Sequence, residues 1–202
     1  KPPGISSNQA VGFFKKLLGQ KKGGHTGTLD PGASGVLVIL AGRATKLSDY
    51  LMSGKKTYIG EIAFGACTDT QDAYGMVSET SDAVITAEMV KSVLPQFIGE
   101  AEQTPSRFSA IKVDGKRAYA KARNGEAFEM KPRRVTIERL EFLEQTGENR
   151  FLLEVVCSKG TYIRALFEDI GRALGTCAYM SFLERTQSGN FSVESSVTME
   201  EA

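Results

Sequence analysis

Two apolar runs, Val135 to Leu143 and Phe151 to Cys157, are joined by a Gly147-Glu148-Asn149 turn. Strand-like runs with so short a connection pair antiparallel, as a hairpin. That one feature argues against a doubly wound parallel sheet, whose strands need helical crossovers. Helical and strand patterns alternate around it. Val11, Phe14, Leu17 and Leu18 fall on one face of a helix that Ser7 can cap and Gly19 can end. The glycine-rich stretch 23–35 leads into the run Val36 to Leu40, expected as a buried strand. A short helix is expected over Ala44 to Met52, and a strand over Thr57 to Phe64. A further helix starts at Thr86 and runs towards Phe97, with Pro95 ending or kinking it. Thr161 to Leu174 has an amphipathic helical pattern with Gly175 beyond its end. A last hairpin-like pair, near Ala178 to Arg185 and Asn190 to Val193, turns at Ser188-Gly189. The expectation is an α+β (mixed α/β) fold with a mixed, largely antiparallel central sheet and flanking helices.

A chain of 202 residues supports one sizeable domain. Its longest apolar runs are far too short to cross a bilayer. No basic start followed by an apolar stretch and a small-residue cleavage site argues for secretion, so a cytoplasmic protein without a membrane role is expected. Cys67, Cys157 and Cys177 are odd in number and widely spaced. They are expected as reduced thiols, not as a disulfide framework or a metal site.

The net charge of +1 says little about partners, but its distribution says more. Residues 1–60 carry nine Lys/Arg against two Asp/Glu, and residues 61–106 carry one against eight. Residues 107–134 return to nine against three, and the remainder carries six against eleven. Such blocks can present a basic face and an acidic back, the footprint of a phosphate-binding surface; clustering by chance is the plainer alternative. Segment 107–134, broken by Gly115, Gly125 and Pro132, is expected as a loop–helix–loop excursion.

The densest chemical signal is the run from Gly24 to Gly35, Gly-His-Thr-Gly-Thr-Leu-Asp-Pro-Gly-Ala-Ser-Gly. It lacks the Gly-Lys-Ser/Thr of a phosphate-cradling loop. Asp30 fits two descriptions equally well: a turn residue bonding its own backbone, or a carboxylate held at a loop tip for chemistry. His25 is the sole histidine. It can act in acid–base work or stack on a nucleobase, but metal binding has no second imidazole to draw on.

The run from Gly24 to Leu37 resembles the signature of the TruB family of pseudouridine synthases. Four further stretches resemble motifs of the same family in the same order: Lys1 to Ser7, Lys56 to Gly60, Ser109 to Tyr119, and Cys157 to Arg164. The resemblance implies a pseudouridine synthase fold and conversion of uridine 55 in the T loop of tRNA to pseudouridine. It implies Asp30 as nucleophile, Tyr58 against the target uracil, and Arg164 paired with Asp30. Thr28, in the same loop, is implied to touch substrate, and Asp72 to complete a network with Arg164. His25 is implied to fill the space left by a flipped-out base. Segment 107–134 becomes an RNA-binding thumb, with Arg107, Lys112, Lys116, Arg117, Lys121 and Arg123 on phosphates. Tyr119 is either an RNA contact or packed inward. Leu183 is most simply core, and by resemblance could line the uracil pocket.

Isomerising uridine breaks C1′–N1 and forms C1′–C5, which needs no redox step, so no cofactor is implied. Attack at C1′, addition at C6 and elimination to a glycal all remain open for the carboxylate. Tyr58 is either the base for the C5 proton or a stacking group. Residues 1–202 are expected as one catalytic domain acting as a monomer, without a protein partner. The small C-terminal RNA-binding domain usual in bacterial members is expected to lie outside this chain. A guide-RNA-dependent relative and a non-catalytic RNA-binding module are the alternatives.

Overall fold

The computed structural model describes residues 1–202. The chain opens with α1 (Ser7–Leu17). Ser6, not Ser7, caps it, in a reciprocal capping box with Gln9. Ser7 is instead buried, and its hydroxyl bonds both the N–H and the C=O of Leu29 at 2.9 Å. The glycine-rich stretch then forms β1 (Gly23–His25) and β2 (Ser34–Gly35). The run Val36 to Leu40 does not make one buried strand. Only β3 (Ile39–Ala41) is extended and paired, antiparallel to β1, because the backbone at Val36 leaves to follow another partner.

A 3₁₀ turn (Gly42–Leu47) and α2 (Ser48–Met52) lead into β4 (Lys56–Phe64). The hairpin of β5 (Ala66–Thr68) and β6 (Val77–Thr80) stands apart from the main sheet. Thr86 caps α3 (Ala87–Val93), which tightens at Pro95 into a 3₁₀ turn (Leu94–Phe97) before β7 (Gly99–Gln103). Segment 107–134 holds a small hairpin, β8 (Lys112–Val113) and β9 (Lys116–Arg117), and one short helix, α4 (Ala118–Arg123). The long hairpin is β10 (Arg133–Gly147) with β11 (Arg150–Cys157), where Asn149 adopts φ 54° in the turn. Next come α5 (Ile163–Ala173), β12 (Ala178–Ser188) and β13 (Phe191–Ser192).

The main sheet runs β13-β12-β4-β11-β10-β7, antiparallel throughout, and β2 adds to β12 in parallel. The sheet is thus mixed but largely antiparallel. Its inner face alternates as the strand period demands: Ile62, Leu153, Val155 and Ile137 are buried and pack with Phe167, Ile170 and Leu166 of α5. Gly60 on β4 lets Phe167 approach, since a Cβ there would lie 3.0 Å from its ring. No helix is long and apolar enough to cross a membrane.

Candidate active site

Asp30 sits in the loop between β1 and β2, and that loop is tied down on three sides. Ser7 clamps Leu29 from α1. Lys1 Nζ bonds the Pro31 carbonyl at 3.2 Å, and Gly4 N–H bonds it at 2.8 Å. Arg185 reaches in from β12, donating from Nε to the Val36 carbonyl at 2.8 Å and from a terminal nitrogen to Gly27 at 3.1 Å.

Arg164 lies in the first turn of α5 and is 96% buried. The side chain of Gln103 holds the backbone just before it, accepting from Tyr162 N–H at 2.7 Å and donating to its carbonyl at 2.9 Å. Arg164 Nε is 3.0 Å from Asp30 Oδ2, and a terminal nitrogen is 3.6 Å from Asp72 Oδ2. The same guanidinium donates to the carbonyls of Thr70 at 2.8 Å and Phe108 at 3.5 Å. Three segments thus meet at one cation. Asp72 is oriented in turn, its Oδ1 accepting from Thr70 Oγ1 at 2.6 Å and Tyr74 N–H at 3.0 Å. Gln71, between these partners, holds the left-handed φ of 64°, and its backbone docks on Met180 of β12.

Burial pushes the Asp30 carboxyl above the usual carboxylate range; Arg164 opposes this and Asp72 adds to it. Desolvation therefore wins over the ion pair, although the side chain keeps about a third of its surface open (36%). The guanidinium aims the group more than it acidifies it.

Tyr58 is buried on β4, with its Cα opposite that of Arg185 on β12. Burial raises its phenol above 10, and the Arg185 cation beside it pulls the other way. Leu183 is buried opposite Gly60, within the main core cluster. His25 is half-buried, its Nδ1 accepting from Gly27 N–H at 3.3 Å. Burial and the positive neighbours Arg185 and Arg117 hold its imidazole below the ordinary value, hence neutral at pH 7. Thr28 is exposed beside it.

In the thumb segment, Lys112, Lys116, Arg117 and Tyr119 are exposed, so Tyr119 does not pack inward. Lys121 departs from expectation. It is buried, paired with Asp114 at 2.9 Å, and 5.4 Å from the Phe128 ring. Its cation holds the thumb together and is not free for a phosphate. Arg107 is exposed, and it donates to the Glu126 carbonyl at 2.9 Å and stacks on Phe128 at 4.8 Å.

The model for the N-terminal domain of TruB family pseudouridylate synthases matches residues 15–163, and that for the tRNA pseudouridylate synthase B C-terminal domain matches 164–202. The chain belongs to the TruB family. Proteins named tRNA pseudouridine synthase B are 49% identical in Caldanaerobacter subterraneus subsp. tengcongensis and 48% in Symbiobacterium thermophilum. Each match spans this whole chain and 71% or 68% of the relative. Among solved structures, a Cbf5-Nop10-Gar1 complex is 31% identical with a TM-score of 0.72, covering 95% of this chain and 48% of that one. The boundary between the two matched TruB models is not a structural boundary. It falls inside the first turn of α5, and β12 beyond it is hydrogen-bonded along the length of β4.

Three further residues of this TruB site are ones that sequence reasoning missed. Arg185 was hidden in a strand, yet alternation puts it on the same inward face as Leu183. Tyr162 was hidden as a helix-start residue; burial raises its phenol, with Asp30, Arg164 and Arg133 near enough to act on it. Lys1 opens the Lys1 to Ser7 stretch and lies beside the Asp30 loop. Burial lowers its amine to about 8, with Asp30 opposing that shift.

Proposed function

We propose that this chain is the catalytic domain of a stand-alone tRNA pseudouridine synthase, with Asp30 as nucleophile at uridine 55 of the T loop. The observation that carries the proposal is the aimed carboxylate: Asp30, on a rigid glycine loop, held at 3.0 Å by a buried arginine that a second carboxylate also faces. A partly open, desolvated carboxylate is a stronger nucleophile than a hydrated one, because its charge is not spent on water. The relatives' shared name supports tRNA as the substrate.

The uracil leaves the loop stack and enters between Asp30 and Tyr58. His25, neutral and half-buried at the end of β1, occupies the space the base vacates. Asp30 drives cleavage of C1′–N1, the detached uracil turns, and C5 bonds to C1′. Tyr58 accepts the C5 proton as its phenolate, which becomes the neutral phenol, and the Arg185 cation beside it lowers the cost of forming that phenolate beforehand. Asp72 fixes the free end of the Arg164 guanidinium. The exposed Lys112, Lys116, Arg117 and Tyr119 grip tRNA phosphates and loop bases. Leu183 walls the uracil side of the pocket. A guide-RNA-dependent reading has less support, because relatives named tRNA pseudouridine synthase B reach 45–49% identity and the Cbf5 structures 29–31%.

The site assignment is tested with an unmodified tRNA transcript and a copy carrying cytidine at position 55, without any guide RNA. Pseudouridine mapped at position 55 of the first alone is expected. Product elsewhere, or only after guide RNA is added, overturns it.

A further inference from the structure

Away from the Asp30 loop, Cys67 of β5, Glu79 of β6 and Cys177 just before β12 bring two thiols and a carboxylate together. Their ligand atoms all lie within 4.8 Å of one another. Cys67 and Glu79 are cross-strand partners in the β5–β6 hairpin, whereas Cys177 comes from the main sheet's side. We propose that these three residues form a binding site for one soft divalent cation of the zinc class, clipping the hairpin to the sheet.

The donor set selects the ion. Two thiolates and one carboxylate suit Zn²⁺ or Cd²⁺, whereas Mg²⁺ and Ca²⁺ prefer oxygen alone. Tetrahedral Zn²⁺, with Zn–S near 2.3 Å and Zn–O near 2.1 Å, needs its ligand atoms about 3.5–3.8 Å apart. Ligand atoms no more than 4.8 Å apart reach that spacing by shifts of up to roughly 1 Å, shared between the exposed Glu79 and the half-exposed Cys67. The backbone behind the thiols is already fixed: Ser78 Oγ donates to the Cys67 carbonyl at 3.2 Å, and Gly65 N–H to the Cys177 carbonyl at 3.0 Å. With three protein ligands and an exposed third side, water completes the shell. Cys67 and Cys177, remote in the chain, become neighbours only when β12 docks beside β5.

The position has a consequence for the active site. Residues 69–75, which supply Thr70 and Asp72 to Arg164, span the gap between β5 and β6. A cation joining Cys67 and Glu79 to Cys177 fixes both ends of that loop against the sheet.

The test uses the full chain, stripped with a chelator, kept reduced with a phosphine, and titrated with Cd²⁺ alone. Expected are one ion per chain, a sulfur-to-cadmium absorption band, and a raised Tm. The half-exposed Cys67→Ser loses the band and the Tm shift, and Glu79→Gln weakens binding by about tenfold or more. Cys157→Ala binds as wild type. No band in the wild type, a band that survives Cys67→Ser, or affinity unchanged by Glu79→Gln overturns the three-ligand site.

Discussion

Arg164 is bound to Asp30 through Nε, 3.0 Å from Oδ2, which leaves its terminal nitrogens for Asp72 and two carbonyls. One buried cation therefore serves as the hub on which the nucleophile loop, the 69–75 loop and the base of the thumb converge. Removing it frees the carboxylate to move and withdraws the largest influence opposing its desolvation, leaving only the Lys1 cation.

Arg164→Met is expected to lower kcat/KM by about 100-fold or more, since a misaimed nucleophile by itself costs that much. The pH profile gives the sharper check. Asp30 must be ionised, and its carboxyl already lies above the ordinary range. Losing the cation raises it further, so the acid limb of the rate moves to higher pH. An unmoved limb contradicts the pairing.

Tyr58→Phe keeps the buried ring but removes the proton acceptor. The expected loss in single-turnover rate is about 10²- to 10⁴-fold, with tRNA affinity unchanged. Arg185→Met raises the cost of forming the phenolate, so the rise in rate with alkaline pH moves to higher pH, whereas a purely structural role leaves that rise in place. A Phe variant as fast as wild type contradicts Tyr58 as base.

Gly35 has φ 102°, and a Cβ there would lie 2.3 Å from the Arg185 carbonyl oxygen. The parallel pairing of β2 with β12 exists only because no side chain intervenes. Gly35→Ala is expected to cost about 2–4 kcal/mol from overpacking and backbone strain, read as a lower denaturant midpoint. A midpoint within error of wild type refutes the close approach.

Arg117→Ala and Lys112→Ala remove exposed cations. Each is expected to weaken tRNA binding and reduce the log–log salt slope by about one. Lys121→Ala is expected to loosen the thumb, seen as faster proteolysis within 107–134, without the same change in slope. A slope change equal to that of Arg117→Ala would place Lys121 on the phosphates.

What the sequence made legible follows from how local each signal is. The Gly147-Glu148-Asn149 turn and the alternation on either side of it fall within one hairpin, and β10 and β11 form there. The break at Pro95 and the helix before it are equally local. The Val36 to Leu40 run misleads because Val36 bonds Arg185 of β12, a partner remote in the chain, while Val38 to Leu40 turn to Thr26 and β1. Lys121 looks like any basic surface residue until Asp114 and Phe128 fold over it. The meeting of Asp30, Asp72 and Arg164 was open to resemblance alone, since no spacing rule joins three segments so far apart. Arg185 could have been found from its place in the strand alternation, had a charge on an inward face been taken as a signal.

The most direct measurement is pseudouridine formation on an unmodified tRNA transcript by wild type and Asp30→Asn, with folding and tRNA binding measured alongside. Full conversion by wild type and none by an Asp30→Asn protein that folds and binds tRNA is the predicted result. Conversion by that variant at a rate near wild type would contradict the assignment of Asp30 as nucleophile.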